Sequence, residues 1–229
     1  MTFCLMRSMY HYCSIDALLD RLDVSRKFGI TMNAKDNVAI VELDKKDTYL
    51  REISSKYSIH HYYEVSVCRE SGSWRIELTR KAFASRLDKN YHGKLFEDHI
   101  GEPRVFAAVL GNRQVGWIEL GYDKWNNRLR VWEFLVEEEC RTRGIGTLLM
   151  NHAVKIAKEK CARMLVLETQ SNNATAISFY LNFGFELIGF DFAAYSNEDI
   201  EKKEVRLELG LKLQQKECFS EDTKPTSLK

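Results

Sequence analysis

The sequence is short of proline, of net charge and of long apolar runs, and each shortage removes a class of protein. Only two prolines occur, Pro103 and Pro225, so helices and strands meet few covalent interruptions. A formal net charge of +1 gives no general pull towards nucleic acid or an anionic membrane. No stretch approaches the roughly 18 apolar residues that a membrane-crossing helix needs. The first residues, MTFCLMRSMYHYC, lack the basic region and apolar core of a secretion signal. The six cysteines (Cys4, Cys13, Cys68, Cys140, Cys161 and Cys218) form no C-x-x-C pair and have no histidine nearby at zinc spacing. His60 and His61, adjacent on a strand, point to opposite faces. The expectation is a cytoplasmic protein with no metal, no nucleic acid and no membrane partner. No internal repeat or low-complexity tract is present.

What remains is an ordinary folded composition, 45% hydrophobic and 29% charged over 229 residues. Residues 14–27 carry Ile15, Leu18, Leu19 and Leu22 at helical spacing, which predicts a short amphipathic helix. Residues 1–33 read as an N-terminal extension, 34–213 as a single α/β domain, and 214–229 as a disordered tail. Residues 37–42 and 61–68 predict strands, with a charged helical or irregular piece between them. Residues 74–100 are polar and mixed and carry no period that assigns them.

From residue 103 the pattern sharpens. Arg104–Leu110 and Val115–Leu120 predict a hairpin across a four-residue turn, Gly111–Gln114. Leu129–Val136 (LRVWEFLV) predicts a central strand buried on both faces. After the charged run Glu137–Arg143 comes Gly144-Ile145-Gly146, and then a helix from Thr147 to about Lys160. Residues 163–168 predict a buried strand, and 174–183 a helix capped by Gly184. Residues 185–195 and 204–213 predict closing strands.

A strand that passes through Gly-x-Gly into a helix suits a phosphate. Glycine lets the backbone approach the anion, and unpaired N–H groups at the helix start point at it. Arg141 and Arg143 add positive charge beside it. The same loop also reads as a simple tight connection. A dinucleotide fingerprint G-x-G-x-x-G needs a third glycine where Leu149 stands, although Glu168 imitates its acidic partner. A Walker loop is excluded because no Lys-Ser/Thr follows the glycines.

Arg141-x-x-Gly144-x-Gly146 instead matches Q/R-x-x-G-x-G/A, and the chain resembles the GNAT superfamily of N-acetyltransferases. The run Leu167-Glu168-Thr169-Gln170-Ser171-Asn172-Asn173-Ala174, then Ser178-Phe179-Tyr180, Gly184-Phe185 and Gly189-Phe190-Asp191-Phe192-x-x-Tyr195, is similar to streptothricin acetyltransferases. Trp125-Asn126 adds to the likeness, which covers roughly residues 103–195.

The resemblance implies an α+β domain whose mixed, mostly antiparallel sheet has a central V-shaped parallel splay flanked by helices. It implies acetyl-CoA as co-substrate, no metal, and direct transfer to a primary amine of an aminoglycoside-like or streptothricin-type antibiotic (the β-lysine arm) or of a related small amine. The pyrophosphate would lie on the backbone of Arg141, Thr142, Arg143, Gly144, Ile145 and Gly146, with Thr147 adding its hydroxyl. The pantetheine arm would pair with the strand at Leu135 and Val136, where an N–H can also stabilise an oxyanion. Asn173 is expected to reach the pantetheine or the substrate. Tyr180 matches the tyrosine that donates a proton to the departing thiolate.

Glu133 is the other candidate, because a carboxylate inside VWEFLV is costly unless paired or used. It reads as the base that takes the amine's proton, as a group holding the cationic amine, or as half of a structural salt bridge. Asp191 reads either as a second contact for a polycation or as a solvated strand end. The closing strand VRLELGLKL lacks the aromatic residues that the family often has there. Transfer to protein or peptide amines, as in ribosomal-protein acetyltransferases, and acyl-CoA binding without catalysis therefore stay open. A monomer or homodimer would suit any of these.

Overall fold

The computed structural model describes residues 32–33 and 38–214. The amphipathic helix expected at 14–27 and the tail from 215 onwards lie outside them. Strands β1 (Met32–Asn33), β2 (Val38–Leu43), β5 (Arg104–Leu110), β6 (Arg113–Asp123), β7 (Arg128–Val136), β8 (Met164–Gln170), β9 (Glu186–Asp191) and β10 (Arg206–Lys212) form one eight-stranded sheet. Its order is β1-β2-β5-β6-β7-β8-β10-β9, and the β7/β8 pair alone is parallel. The other two strands, β3 (Glu52–Glu70) and β4 (Ser73–Lys94), pair only with each other as a long antiparallel ribbon. Among the described residues there are four α-helices: α1 (Lys45–Thr48), α2 (Ile145–Glu159), α3 (Ala174–Phe183) and α4 (Asp199–Lys202). None among the described residues is long and apolar enough to cross a membrane.

Antiparallel pairing everywhere else in this sheet rules out the dinucleotide-binding alternative, which requires a wound parallel sheet. The two faces of the sheet are covered differently. Helix α2 buries Ile145, Leu149, Met150, Ala153 and Ile156 on one face, against Phe106, Ile118 and Leu120. On the other face Ile53, Leu95 and Phe96, at the base of the ribbon, pack on Val105, Trp117 and Leu135. Further along the ribbon Val65 packs with Ile177, Val205 and Leu207. Each such aliphatic side chain contributes about 1.5–3 kcal/mol when buried, so the ribbon is pinned on both sides of the β7/β8 junction.

Several expectations change. The piece before residue 61 is not helical beyond α1, because β3 already starts at Glu52. Residues 74–100, which carry no assignable period, are mostly β4. The ribbon exposes most of both faces, so no apolar alternation marks it. The hairpin turn is two residues, Gly111-Asn112, with Gly111 at φ 59° as a tight hairpin turn requires. Helix α2 starts at Ile145 rather than Thr147, with Gly144 as its N-cap. Strand β7 is not buried on both faces: Trp132 is 38% exposed and Glu133 only partly covered.

Candidate active site

Two irregularities open the sheet at one point. In the β6/β7 register Glu119 faces Glu133 and Leu120 faces Val131, which leaves Trp132 as an extra residue on β7. Such a bulge bends its strand and re-aims the side chains around it. Pairing of β7 with β8 ends at the same place, at Val131 and Leu167, although the strands run on to Val136 and Gln170. Beyond that point they diverge. The notch between them is the mouth of a cavity of about 870 Å³.

Successive residues of β7 serve opposite faces. Phe134 stacks on Phe179 of α3 on the helix side, with ring centroids 5.6 Å apart. Glu133 meets the ribbon, where Tyr91 donates its hydroxyl to Oε1 at 2.6 Å. Because β8 has peeled away, both residues line the same cavity. Tyr180 lines it too, 7% exposed within rings from Phe134, Phe179 and Phe185. Its hydroxyl makes no hydrogen bond among the described residues, and burial pushes its pKa up, so it stays protonated.

Burial also pushes the Glu133 carboxyl up to about 7, with the hydrogen bond from Tyr91 acting against the shift and the charge of Glu97 adding to it. Glu119 is fully buried and raised to about 7, first by burial; the N–H of Phe96, 2.8 Å from Oε1, pulls it down, and the charge of Glu133 pushes it up. Its other oxygen, Oε2, has no partner among the described residues.

At the far end of the cavity lies the loop into α2. Gly144, at φ 80°, adopts the left-handed conformation that glycine tolerates best. The first intrahelical bond is Leu148 N–H to Gly144 O, 2.9 Å, which leaves the N–H groups of Ile145, Gly146 and Thr147 without helical partners. At Gly146 a β-carbon would stand 3.4 Å from the Phe134 ring and 3.6 Å from Phe179, so the loop backbone packs directly above these rings. An anion fits this end.

Of the residues singled out from sequence, Glu133, Leu135, Val136, Arg141, Thr142, Gly144, Gly146, Thr147, Asn173 and Tyr180 line the cavity. Arg143 and Ile145 do not: Arg143 is exposed, and the Ile145 side chain is in the core under α2. The Arg141 guanidinium is turned towards the strands, donating to Val136 O (3.0 Å), Ser55 Oγ (2.7 Å) and Lys56 O (3.1 Å). It ties the loop to the ribbon. Asn173 caps α3, its Oδ1 accepting from Ala176 N–H at 3.2 Å. Asp191 accepts from Ala193 N–H at 3.0 Å and does not line the cavity.

The ribbon's share of the wall (Ser55, Tyr57, Ser58 and Tyr91) went unseen in the sequence, as did Trp132 and Glu119. The one available signal was the unexplained acid Glu119 in an otherwise apolar strand. No group of acidic, histidine or cysteine side chains able to hold a metal occurs among the described residues.

The family model described as "Acetyltransferase (GNAT) family" matches residues 69–185, just over half of the chain. Streptothricin acetyltransferase of Streptomyces lavendulae is 37% identical over 100 residues, which are 43% of this chain and 53% of that protein. The chain thus spans about half the length of that relative. Streptothricin acetyltransferase A of Bacillus subtilis (strain 168) is 30% identical over 131 residues, 56% of this chain and 74% of the relative. Among solved structures, a Bacillus anthracis str. Ames protein described as a streptothricin acetyltransferase, in complex with acetyl coenzyme A, superimposes with a TM-score of 0.62. It is 28% identical and covers 80% of this chain and 100% of its own. Nourseothricin acetyltransferase gives a TM-score of 0.60 at 25% identity, covering 76% and 98%.

Proposed function

The chain belongs to the GNAT acetyltransferase family, and from that membership we propose that it transfers an acetyl group from acetyl-CoA directly to a primary amine of a small cationic molecule of the streptothricin kind. The observation that carries this reading is that one cavity at the notch brings together Glu133, Tyr180 and the α2 start at Gly144, Gly146 and Thr147. The likeness to streptothricin acetyltransferases in sequence and in structure supports the acceptor class.

When bound, acetyl-CoA supplies the acetyl thioester. Backbone N–H groups of the loop that runs from Arg141 to Gly146 would hold the pyrophosphate end, chiefly those at the α2 start because the Arg141 N–H is already bonded to Glu138 O at 3.2 Å, and the Thr147 hydroxyl would join them. The edge of β7 at Leu135 and Val136, where Arg141 holds the Val136 carbonyl and β8 has diverged, would take the extended arm as a strand edge takes a peptide-like chain. Asn173, which lines the same cavity, would border that arm.

Glu133 takes the proton of the attacking amine. A lysine-type amine has a pKa near 10.4, so it arrives charged; a carboxylate beside it first attracts the ammonium and then accepts the proton, directly or through water. A base poised near pH 7 does this best, and burial puts Glu133 there. Tyr180 keeps its O–H proton at assay pH and delivers it to the departing sulfur. The aromatic walls from Trp132, Tyr57 and Tyr91 suit a cationic acceptor.

The test is acetyl-CoA consumption with streptothricin against a panel of polyamines and peptides. Turnover confined to small polyamines or the antibiotic supports the reading. Preference for a peptide amine would replace the acceptor class, and stabilisation by NAD but not acetyl-CoA would sink the whole proposal.

A further inference from the structure

We propose that Tyr91 is a positioning residue for Glu133: its phenol O–H holds the carboxylate at the cavity wall and favours the charged form, in space that Gly93 leaves open. The inference rests on the reading of Glu133 as the base, and it concerns a residue from the strand that the sequence left unassigned.

The geometry is specific. Tyr91 and Gly93 are two residues apart on β4 and so share a face. The Tyr91 hydroxyl lies 2.6 Å from Glu133 Oε1. A β-carbon on Gly93 would stand 2.7 Å from that hydroxyl and 2.9 Å from the same carboxylate oxygen, closer than side chains approach. Gly93 has no positive φ. The glycine is there for room, and the room is occupied by the Tyr91–Glu133 bond.

The electrostatics give the bond its task. The titratable groups that bear on Glu133 are Glu119 opposite it on β6, Glu97 beyond the end of β4 and the Tyr91 phenol. The charge of Lys45 acts on Glu119, and no cation bears on Glu133 among the causes of its shift. Burial and Glu97 both favour a protonated, idle Glu133, and the hydrogen bond from Tyr91 is what opposes them. Burial and the adjacent carboxylate raise the Tyr91 phenol in turn, so it remains a donor throughout the working pH range.

The experiment is a carbon-13 titration of the glutamate side-chain carboxyls in the full chain, with the Glu133 signal assigned by its loss in Glu133→Gln. It is run in a Glu119→Gln background, so that two interacting acids do not share one curve. Tyr91→Phe keeps the ring and removes only the donor; Gly93→Ala keeps the donor and removes the room. Both should raise the Glu133 midpoint, Tyr91→Phe by about one pH unit, and the acid limb of kcat/KM should move with it. An unchanged midpoint in both variants overturns the proposal. Turnover is read separately: a wild-type protein that acetylates nothing, with the midpoint still moving in Tyr91→Phe, would sink the acetyltransferase reading and leave the positioning role standing.

Discussion

Glu119 on β6 stands directly across from Glu133 on β7, so two partly or wholly buried carboxylates share one face of the sheet. Opposite residues on neighbouring strands have their β-carbons about 5 Å apart, and like charges at that range repel. Neither acid is paired with a cation among the described residues. Each is pushed up to about 7, in both cases first by burial.

The pair makes stability depend on pH in an unusual direction. A carboxyl whose folded pKa lies above its unfolded value binds more protons in the native state. Its contribution is therefore present below about pH 4.5 and is lost as pH rises towards about 7. Glu119→Gln keeps an oxygen for the Phe96 N–H and carries no charge. Urea unfolding at pH 5 and pH 8 should show the variant gaining on the wild type at the higher pH, by at most about 3 kcal/mol. Parallel pH profiles for the two proteins would contradict this account.

Activity should rise with pH through the Glu133 transition. The proposed base works only when ionised, so kcat/KM should have an acid limb with a midpoint of about 7. Glu133→Gln should remove that limb and lower kcat/KM by roughly 10²–10⁴. A surviving limb in steady-state kinetics of the variant would reassign the titration to another group.

Tyr180 has no partner for its hydroxyl among the described residues, so Tyr180→Phe deletes a proton donor and little packing. The expectation is a fall in kcat of about 10²-fold with the KM for acetyl-CoA nearly unchanged. Unaltered kcat would mean that the ring merely fills the space between Phe134, Phe179 and Phe185.

Arg141 binds three acceptors on two strands at once, which a planar guanidinium manages and an ammonium does not. Both Arg141→Ala and Arg141→Lys should speed amide exchange around Ser55–Tyr57 and cost about 1–2 kcal/mol. If Arg141→Lys exchanges like the wild type, charge rather than shape is what counts there.

The half of the molecule from residue 103 on was legible because its signals are local. Apolar runs mark β7 and β8, Gly144 and Gly184 punctuate the helix ends, and the Arg141–Gly146 string has a fixed spacing. Boundaries moved by a few residues where a bulge or a glycine turn altered the count. The ribbon was illegible for a physical reason: with water on most of both sides, Ser73–Lys94 has no core face and no period to display. Tyr91 was hidden with it. Arg141 was found for its charge beside the loop, whereas its guanidinium serves the backbone. That distinction requires coordinates, since a motif records which residue is present and not which way it turns.

The ribbon hydrogen-bonds within itself and meets the rest of the protein mainly through side chains. A strand inside the main sheet cannot change length or register without disturbing both neighbours. The ribbon is free of that constraint. Apart from Ser55, which holds Arg141, its wall of the cavity can be rewritten residue by residue while the acetyl-CoA half stays as it is, so selection for a new amine would act first on Tyr57 and Ser58. Diversification of acceptors in this architecture should then be recorded in one detachable hairpin, and directed evolution for a new substrate has a short stretch of gene on which to begin.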